Sequence, residues 1–250
     1  MERNEILSDG PSILIENLCK KFGERTILDK FNLTVGREEN VVVLGKSGAG
    51  KSVLIKCIIG LMTPDSGKIN VLGNDVLSLN HQELDKVRTK IGFLFQGNAI
   101  YDSMSIRENL EFPLRRHWFR KSQQEIDAMV LEALQNVKLT HTIDMMPSEL
   151  SGGMLKRVAL ARTMILNPQV ILYDEPTTGL DPVTARDIDD LILELQEKYR
   201  TSSIIISHDM NCVKNTADRV VLLLDGRCYT EGTYEQLENS TDEKIRQFFE

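Results

Sequence analysis

Gly45-Lys46-Ser47-Gly48-Ala49-Gly50-Lys51-Ser52 obeys the spacing G-x-x-x-x-G-K-[ST], a pattern that holds phosphates. Glycines let backbone N–H groups converge on phosphate oxygens, and the helix that follows turns its positive end toward the same anion. Lys51 has the reach and charge for β- and γ-phosphates, and Ser52 offers a hydroxyl to magnesium. Further along, Val170-Ile171-Leu172-Tyr173-Asp174-Glu175 ends an apolar run in two carboxylates. Ligands of open α/β sheets bind at such strand ends. There Asp174 suits a magnesium shell, and Glu175 suits a water that attacks a phosphoryl group, which it would orient or deprotonate. Adjacent acids at a strand end are otherwise usually just solvated, and it is the phosphate loop upstream that favours chemistry here. His208, after another apolar run, can donate a hydrogen bond to a γ-phosphate or its transition state. Gln96 follows the run 91–95 and can sense magnesium or the lytic water, although a loop glutamine needs no such role.

These groups require strands that end together. Val41-Val42-Val43-Leu44 is continuous and β-branched, as expected of a strand buried on both faces, and it enters the glycine loop directly. Residues 51–59 continue as helix. Segments 91–95, 170–173 and 203–206 read as core parallel strands, with 220–224 closing the sheet and helical patterns separating most of them. Residues 13–20, 26–28 and 31–35 predict a preceding antiparallel sheet, with turns around Gly23 and Asp29. Strand signals vanish between Gln96 and Ser151, where 106–115 and 122–136 have amphipathic helical patterns and Pro147 ends the stretch. The expectation is an α/β core with a helical insertion, followed by two short helices within 232–250.

The chain has 250 residues, enough for one large domain or two small ones, and no internal repeat or long linker divides it. A net charge of -7 leaves no basic footprint for nucleic acid and disfavours attraction to anionic lipid. No apolar run has the length of a bilayer span, and residues 1–25 hold no stretch resembling the hydrophobic region of a signal peptide. Cys19, Cys57, Cys212 and Cys228 are scattered singly, which suits a reduced, cytosolic protein better than a disulfide scaffold or a metal cluster.

Leu150-Ser151-Gly152-Gly153-Met154 adds a second anion site, placed where a helix should begin. With it, the chain resembles the ATP-binding subunits of ABC transporters over about residues 13–232, because six elements stand in that family's order. Residues 45–52 look like its Walker A, Gln96 like the Q-loop glutamine, and Leu150 to Met154 like the signature. Asp174 and Glu175 look like Walker B, Gly179-Leu180-Asp181 like the D-loop and His208 like the switch histidine. Phe22 matches the aromatic that stacks on adenine, although a phenylalanine beside a strand is commonly core. The resemblance implies a P-loop NTPase (RecA-like) α/β core with an N-terminal antiparallel β-subdomain and an inserted α-helical subdomain. One ATP-binding domain, 1–250, would divide into a β-subdomain at 12–37, an α/β core at 38–96 and 160–232, a helical subdomain at 97–159 and C-terminal helices at 233–250.

It also implies ATP and Mg2+, with Ser52, Gln96 and Asp174 around the metal and Glu175, His208 and Gln96 in catalysis. Ser151, Gly152, Gly153, Met154 and Asp181 would complete a nucleotide site on the opposite copy of a head-to-tail homodimer. Met154 departs from the glutamine common at the fifth signature position and cannot reproduce an amide's hydrogen bonds. With the segments 95–104 and 109–114, that variant resembles the Mla/Mce-type lipid-transport ATPases, and so does 245–249. Those work with an integral membrane permease and an Mce-type substrate-binding protein, which would place this chain peripherally on the cytoplasmic side of an inner membrane. Polar amino-acid import or lipoprotein release are alternative systems. A soluble translation or DNA-repair factor would be expected to carry paired ATPase units or a basic surface, and a non-enzymatic nucleotide switch would not need Glu175 with His208. Arg115-Arg116-His117-Trp118-Phe119-Arg120-Lys121 is a basic, aromatic patch that reads either as a permease- or membrane-facing surface or as a solvated helix end with Trp118 folded inward.

Overall fold

The structure, a computed structural model, describes residues 10–116, Arg116 by its backbone, and 121–249. The described residues begin with a long hairpin, β1 (Ile13–Phe22) and β2 (Arg25–Val35), paired antiparallel with register shifts in both strands. Then β3 (Asn40–Leu44), buried along its whole length, delivers the glycine loop to α1 (Lys51–Ile58). Next come β4 (Ser66–Val71), β5 (Asn74–Asp75), α2 (His81–Arg88) and β6 (Ile91–Leu94). Three helices follow, with no strand among the described residues between them: α3 (Ile106–Arg116), α4 (Gln123–Asn136) and α5 (Gly152–Met164), with short 3-10 turns between α4 and α5. The remainder alternates as β7 (Val170–Asp174), α6 (Pro182–Tyr199), β8 (Ser202–Ser207), α7 (Met210–Thr216), β9 (Arg219–Leu224), β10 (Arg227–Gly232), α8 (Tyr234–Glu238) and α9 (Glu243–Arg246).

Two sheets result. The larger has the order β10-β9-β3-β8-β7-β6 and is parallel except for β10; the smaller, antiparallel, has the order β2-β1-β4-β5. Side chains alternate across a strand, so the larger sheet divides its apolar residues between two cores. Val41, Val43, Leu172, Ile204 and Ile206 pack toward α1 and the antiparallel sheet. Val42, Leu44, Tyr173, Ile205 and Leu222 pack toward α3 through α7. With both faces covered, β3, β7 and β8 are apolar through their middles, with polar residues only at their ends, which is why they lack a polar alternation.

Three differences from expectation have physical causes. No strand was expected between Lys51 and Ile91, yet β4 and β5 extend the antiparallel sheet; β4 buries only Ile69 and Val71, and β5 is two residues long. Segments 26–28 and 31–35 form one strand, because Asp29 and Lys30 make only a register shift between the pairs Lys20–Leu28 and Leu18–Phe31 and the ladder resumes beyond it. The sheet closes on β10 rather than on 220–224, and β10 is an exposed antiparallel edge whose alternating polar sequence hides it from a search for apolar runs. The helix starts follow side-chain caps: Asn80 with Glu83 for α2, Ser122 with Glu125 for α4, Asp181 before Pro182 for α6. Of the basic, aromatic patch, residues 117–120 and the Arg116 side chain lie outside the described residues. Arg115 is occupied with Glu111, at 2.7 Å.

Candidate functional site

The glycine loop is shaped by what crowds it. Gly50 sits at φ 105°, left-handed, and a Cβ there would meet the Ile27 side chain at 2.8 Å, so β2 presses on the loop and only glycine fits. Helix α1 starts immediately after, its first N–H groups turned toward the loop. Lys51 is buried, and its ammonium donates to the carbonyl oxygens of Gly45 at 2.6 Å and Lys46 at 3.3 Å. Burial pulls its pKa down while Glu175 and Asp174 oppose the shift. The Ser52 hydroxyl donates to Asp174 Oδ1 at 3.1 Å, which joins the start of α1 to the end of β7. Burial, the largest influence, pushes the Asp174 carboxyl up, and the Ser52 bond works against it.

Glu175 follows directly, at φ 54° in a conformation that side chains other than glycine seldom adopt. Such strain persists where neighbours over-determine it, commonly at functional sites. Here the Glu175 N–H donates to Ile206 O at 2.9 Å, and its carboxylate accepts from Thr178 Oγ1 at 3.2 Å. Its Oε2 also lies 2.7 Å from His208 Nδ1. Glu175 is only 12% exposed and His208 64%, so a recessed carboxylate is paired with an imidazole that reaches into open space. These groups face a cavity of about 600 Å3, within the usual range for small-molecule sites, lined by the glycine loop, Lys51, Ser52, Gln96, Glu175 and His208.

Other predicted residues stand elsewhere. Ser151 caps α5, its hydroxyl accepting from Met154 N at 3.3 Å, and both it and Gly152 are exposed. Gly153 is forced by α6: a Cβ would lie 2.6 Å from Thr184 Cγ2. Met154 packs against the helical core. Asp181 caps α6 through Val183 N and Thr184 N, both at 3.1 Å, and its bonds with Thr184 hold its carboxyl below the ordinary value. None of these five lines the cavity. Phe22 does not line it either; the ring is 50% exposed at the tip of the β1–β2 hairpin with Lys20 Nζ 5.5 Å above it, opposite Arg25, which does.

The cavity has walls that no motif announces: Arg25 and Ile27 from β2, Met210 from α7, and Gln247 and Phe248 after α9. Gln247 Oε1 accepts from Lys46 Nζ at 3.2 Å, and the Phe248 ring lies 6.0 Å from the same ammonium. The resemblance of 245–249 to a family's C-terminal region was the nearest signal, and it carried no position in space.

A phosphate-cradling loop between a buried parallel strand and a helix, with carboxylates at the end of another parallel strand of the same sheet one strand removed, defines the phosphate-loop class of nucleotide-binding α/β proteins. Residues 28–178 match the family described as ABC transporter. The chain belongs to that family. It is 40% identical to the intermembrane phospholipid transport system ATP-binding protein MlaF of Haemophilus influenzae, over 94% of this chain and 89% of that protein. It is 38% identical to the probable ribonucleotide transport ATP-binding protein mkl of Mycobacterium tuberculosis, over 96% of this chain but only 66% of that longer protein. Among solved structures, it superposes with TM-score 0.79 and 32% identity on the ATP-binding cassette MJ0796 in a dimeric post-hydrolysis state with ADP and Pi. That match covers 88% of this chain and 98% of the other.

Proposed function

We propose that the chain is the ATP-hydrolysing subunit of an ABC transporter and that the cargo of its permease is phospholipid. The observation that carries the hydrolytic part is the convergence of the glycine loop, Gln96 and the Glu175–His208 pair on one cavity. The loop amides and Lys51 bind the β- and γ-phosphates, which replace the loop carbonyls as partners of the Lys51 ammonium. Water attacks the γ-phosphorus as the bond to the β-phosphate oxygen breaks, giving ADP and phosphate. Glu175 orients that water and takes its proton. His208, which meets Glu175 through Nδ1, would donate to the γ-phosphate oxygen through Nε2 with both ring nitrogens carrying hydrogens.

Ser52 and Asp174 fit Mg2+, because a hydroxyl and a carboxylate 3.1 Å apart are hard oxygen donors. Among the described residues no group of three or more His, Cys, Asp or Glu could hold a metal without other ligands. Phosphate oxygens, water and Gln96 would complete the set, and the ion would neutralise charge on the β- and γ-phosphates. Adenine stacks on the exposed Phe22 ring beside Arg25.

Ser151 and the N–H groups of Gly152 and Gly153 cap the γ-phosphate of a second copy, with Asp181 beside them. This assignment gives a ligand to a capped, exposed helix end that does not line its own cavity. Segment 97–159 meets the permease. Among the described residues no helix is long and apolar enough to cross a membrane, which agrees with a subunit held peripherally at the inner membrane by its permease and an Mce-type protein.

The phospholipid cargo rests on the similarity to MlaF across nearly the full length of both chains. The mkl similarity favours a different cargo, and the permease decides between them. Reconstituted with the permease that co-purifies with it, the wild-type chain should move labelled phospholipid between membranes in an ATP-dependent way. Movement of ribonucleotides instead, with no lipid transfer, would refute the cargo.

A further inference from the structure

Lys156 lies on α5, the helix that begins at Ser151, and is 2% exposed. Lysines are almost never buried so deeply unless paired. Its ammonium donates to the backbone carbonyl of Gln96 at 3.3 Å, sixty positions away in the chain. Burial alone depresses its pKa, with no carboxylate contributing. One neutral carbonyl returns less than the desolvation of an ammonium costs, so Met at this position would pack with less penalty. A lysine here is therefore poorly explained by stability.

Its surroundings connect three elements of the site. The next residue, Arg157, pairs with Asp187 of α6 at 2.8 Å, which ties α5 to the helix that Asp181 caps. Farther along α5, Arg162 donates to Ala99 O and lies 4.7 Å from the Tyr101 ring, so the stretch after Gln96 is held to α5 at both ends. Within that stretch Asn98 and Ala99 adopt φ of 62° and 54°, conformations that need outside support.

We propose that Lys156 is a positioning residue for Gln96, holding its backbone so that the side chain faces the γ-phosphate and linking that placement to the helix that carries the signature. The proposal rests on the role given to Gln96 above. When a second nucleotide engages the start of α5, any movement of that helix passes through the Lys156 ammonium to the Gln96 carbonyl.

The test compares Lys156→Met, Lys156→Arg, Gln96→Ala and the double variant Lys156→Met/Gln96→Ala, measuring kcat, KM, ATP affinity at equilibrium and Tm. Lys156→Met should lower kcat by about 10- to 100-fold, as misplacement of a catalytic group does, with ATP affinity unchanged and Tm unchanged or raised. Lys156→Arg should recover most of the lost rate, and the double variant should be no slower than Gln96→Ala. If Gln96→Ala is slow while Lys156→Met turns over like wild type, the positioning role is overturned and the role of Gln96 stands. If Gln96→Ala is itself as fast as wild type, both fall. A rate loss in Lys156→Met that follows a fall in Tm and is not recovered by arginine would also overturn it, because that is a packing defect.

Discussion

On the roles proposed for them, Glu175 and His208 divide the chemistry at the cavity by burial. The carboxylate is recessed and held by two partners, Thr178 Oγ1 and His208 Nδ1, while the Glu175 backbone N–H is fixed to Ile206 O. The imidazole is open and can follow the phosphate. Removing the base and removing the donor should therefore differ. Glu175→Gln keeps shape and hydrogen-bonding capacity but loses proton acceptance, and turnover should fall by about 10²- to 10⁴-fold with ATP affinity unchanged in steady-state and equilibrium assays. His208→Ala should cost about 10²- to 10³-fold, the scale for losing one preorganised donor. Equal rates for wild type and Glu175→Gln would remove Glu175 from the mechanism. At this scale the sequence was most legible, because the glycine loop, Asp174 and Glu175 carry their chemistry in contiguous residues that local geometry places. Lys156 was not legible: a lysine on a helix reads as solvent-facing, and only the packing of α5 against the loop after Gln96 buries it.

At the scale of elements, contacts between helices and sheets set the spacing. Gly153 lets α5 approach Thr184 at the start of α6, and Thr184 cannot rotate freely because its hydroxyl donates to Asp181 at 2.6 Å. Gly153→Ala should therefore cost about 1–3 kcal/mol of stability, seen in denaturant unfolding, and slow hydrolysis as well. A second joint ties the two sheets. Arg219 of β9 grips Glu39 at 2.8 and 3.1 Å and reaches Glu231 of β10 and Thr34 O of β2. Burial pushes the Glu39 carboxyl up, but hydrogen bonds from Arg219 and Gly36 outweigh it and leave the pKa below 4.5. A carboxylate depressed on folding contributes stability above its unfolded pKa and loses it as pH falls through the folded value. Tm should thus drop below pH 4.5 in wild type, and Glu39→Gln, less stable by about 1–3 kcal/mol at pH 7, should show a flatter fall. An unchanged acid slope in the variant would rule out this joint as a source of acid sensitivity. Strands buried on both faces were legible as apolar runs. β4, β5 and β10 were not, since short or half-exposed strands carry few apolar residues.

For the whole molecule, the proposed function implies a site that one chain leaves incomplete. The cavity collects the phosphate loop, Gln96, Glu175 and His208, and it leaves Ser151, Gly152 and Asp181 on exposed ground at the starts of α5 and α6. The walls contributed by Arg25, Ile27, Met210, Gln247 and Phe248 come from three separate parts of the chain, so no local spacing could reveal them. Completion by a second copy would give both exposed caps a ligand and bury two nucleotides between symmetric faces. The direct measurement is the solution mass of Glu175→Gln with and without Mg-ATP, repeated with Ser151→Arg added. The account predicts a monomer that becomes a dimer on ATP, and an added Ser151→Arg change that leaves ATP binding intact but keeps the chain monomeric. A Glu175→Gln chain that binds ATP and stays monomeric, or one that still dimerises with arginine at position 151, would contradict it.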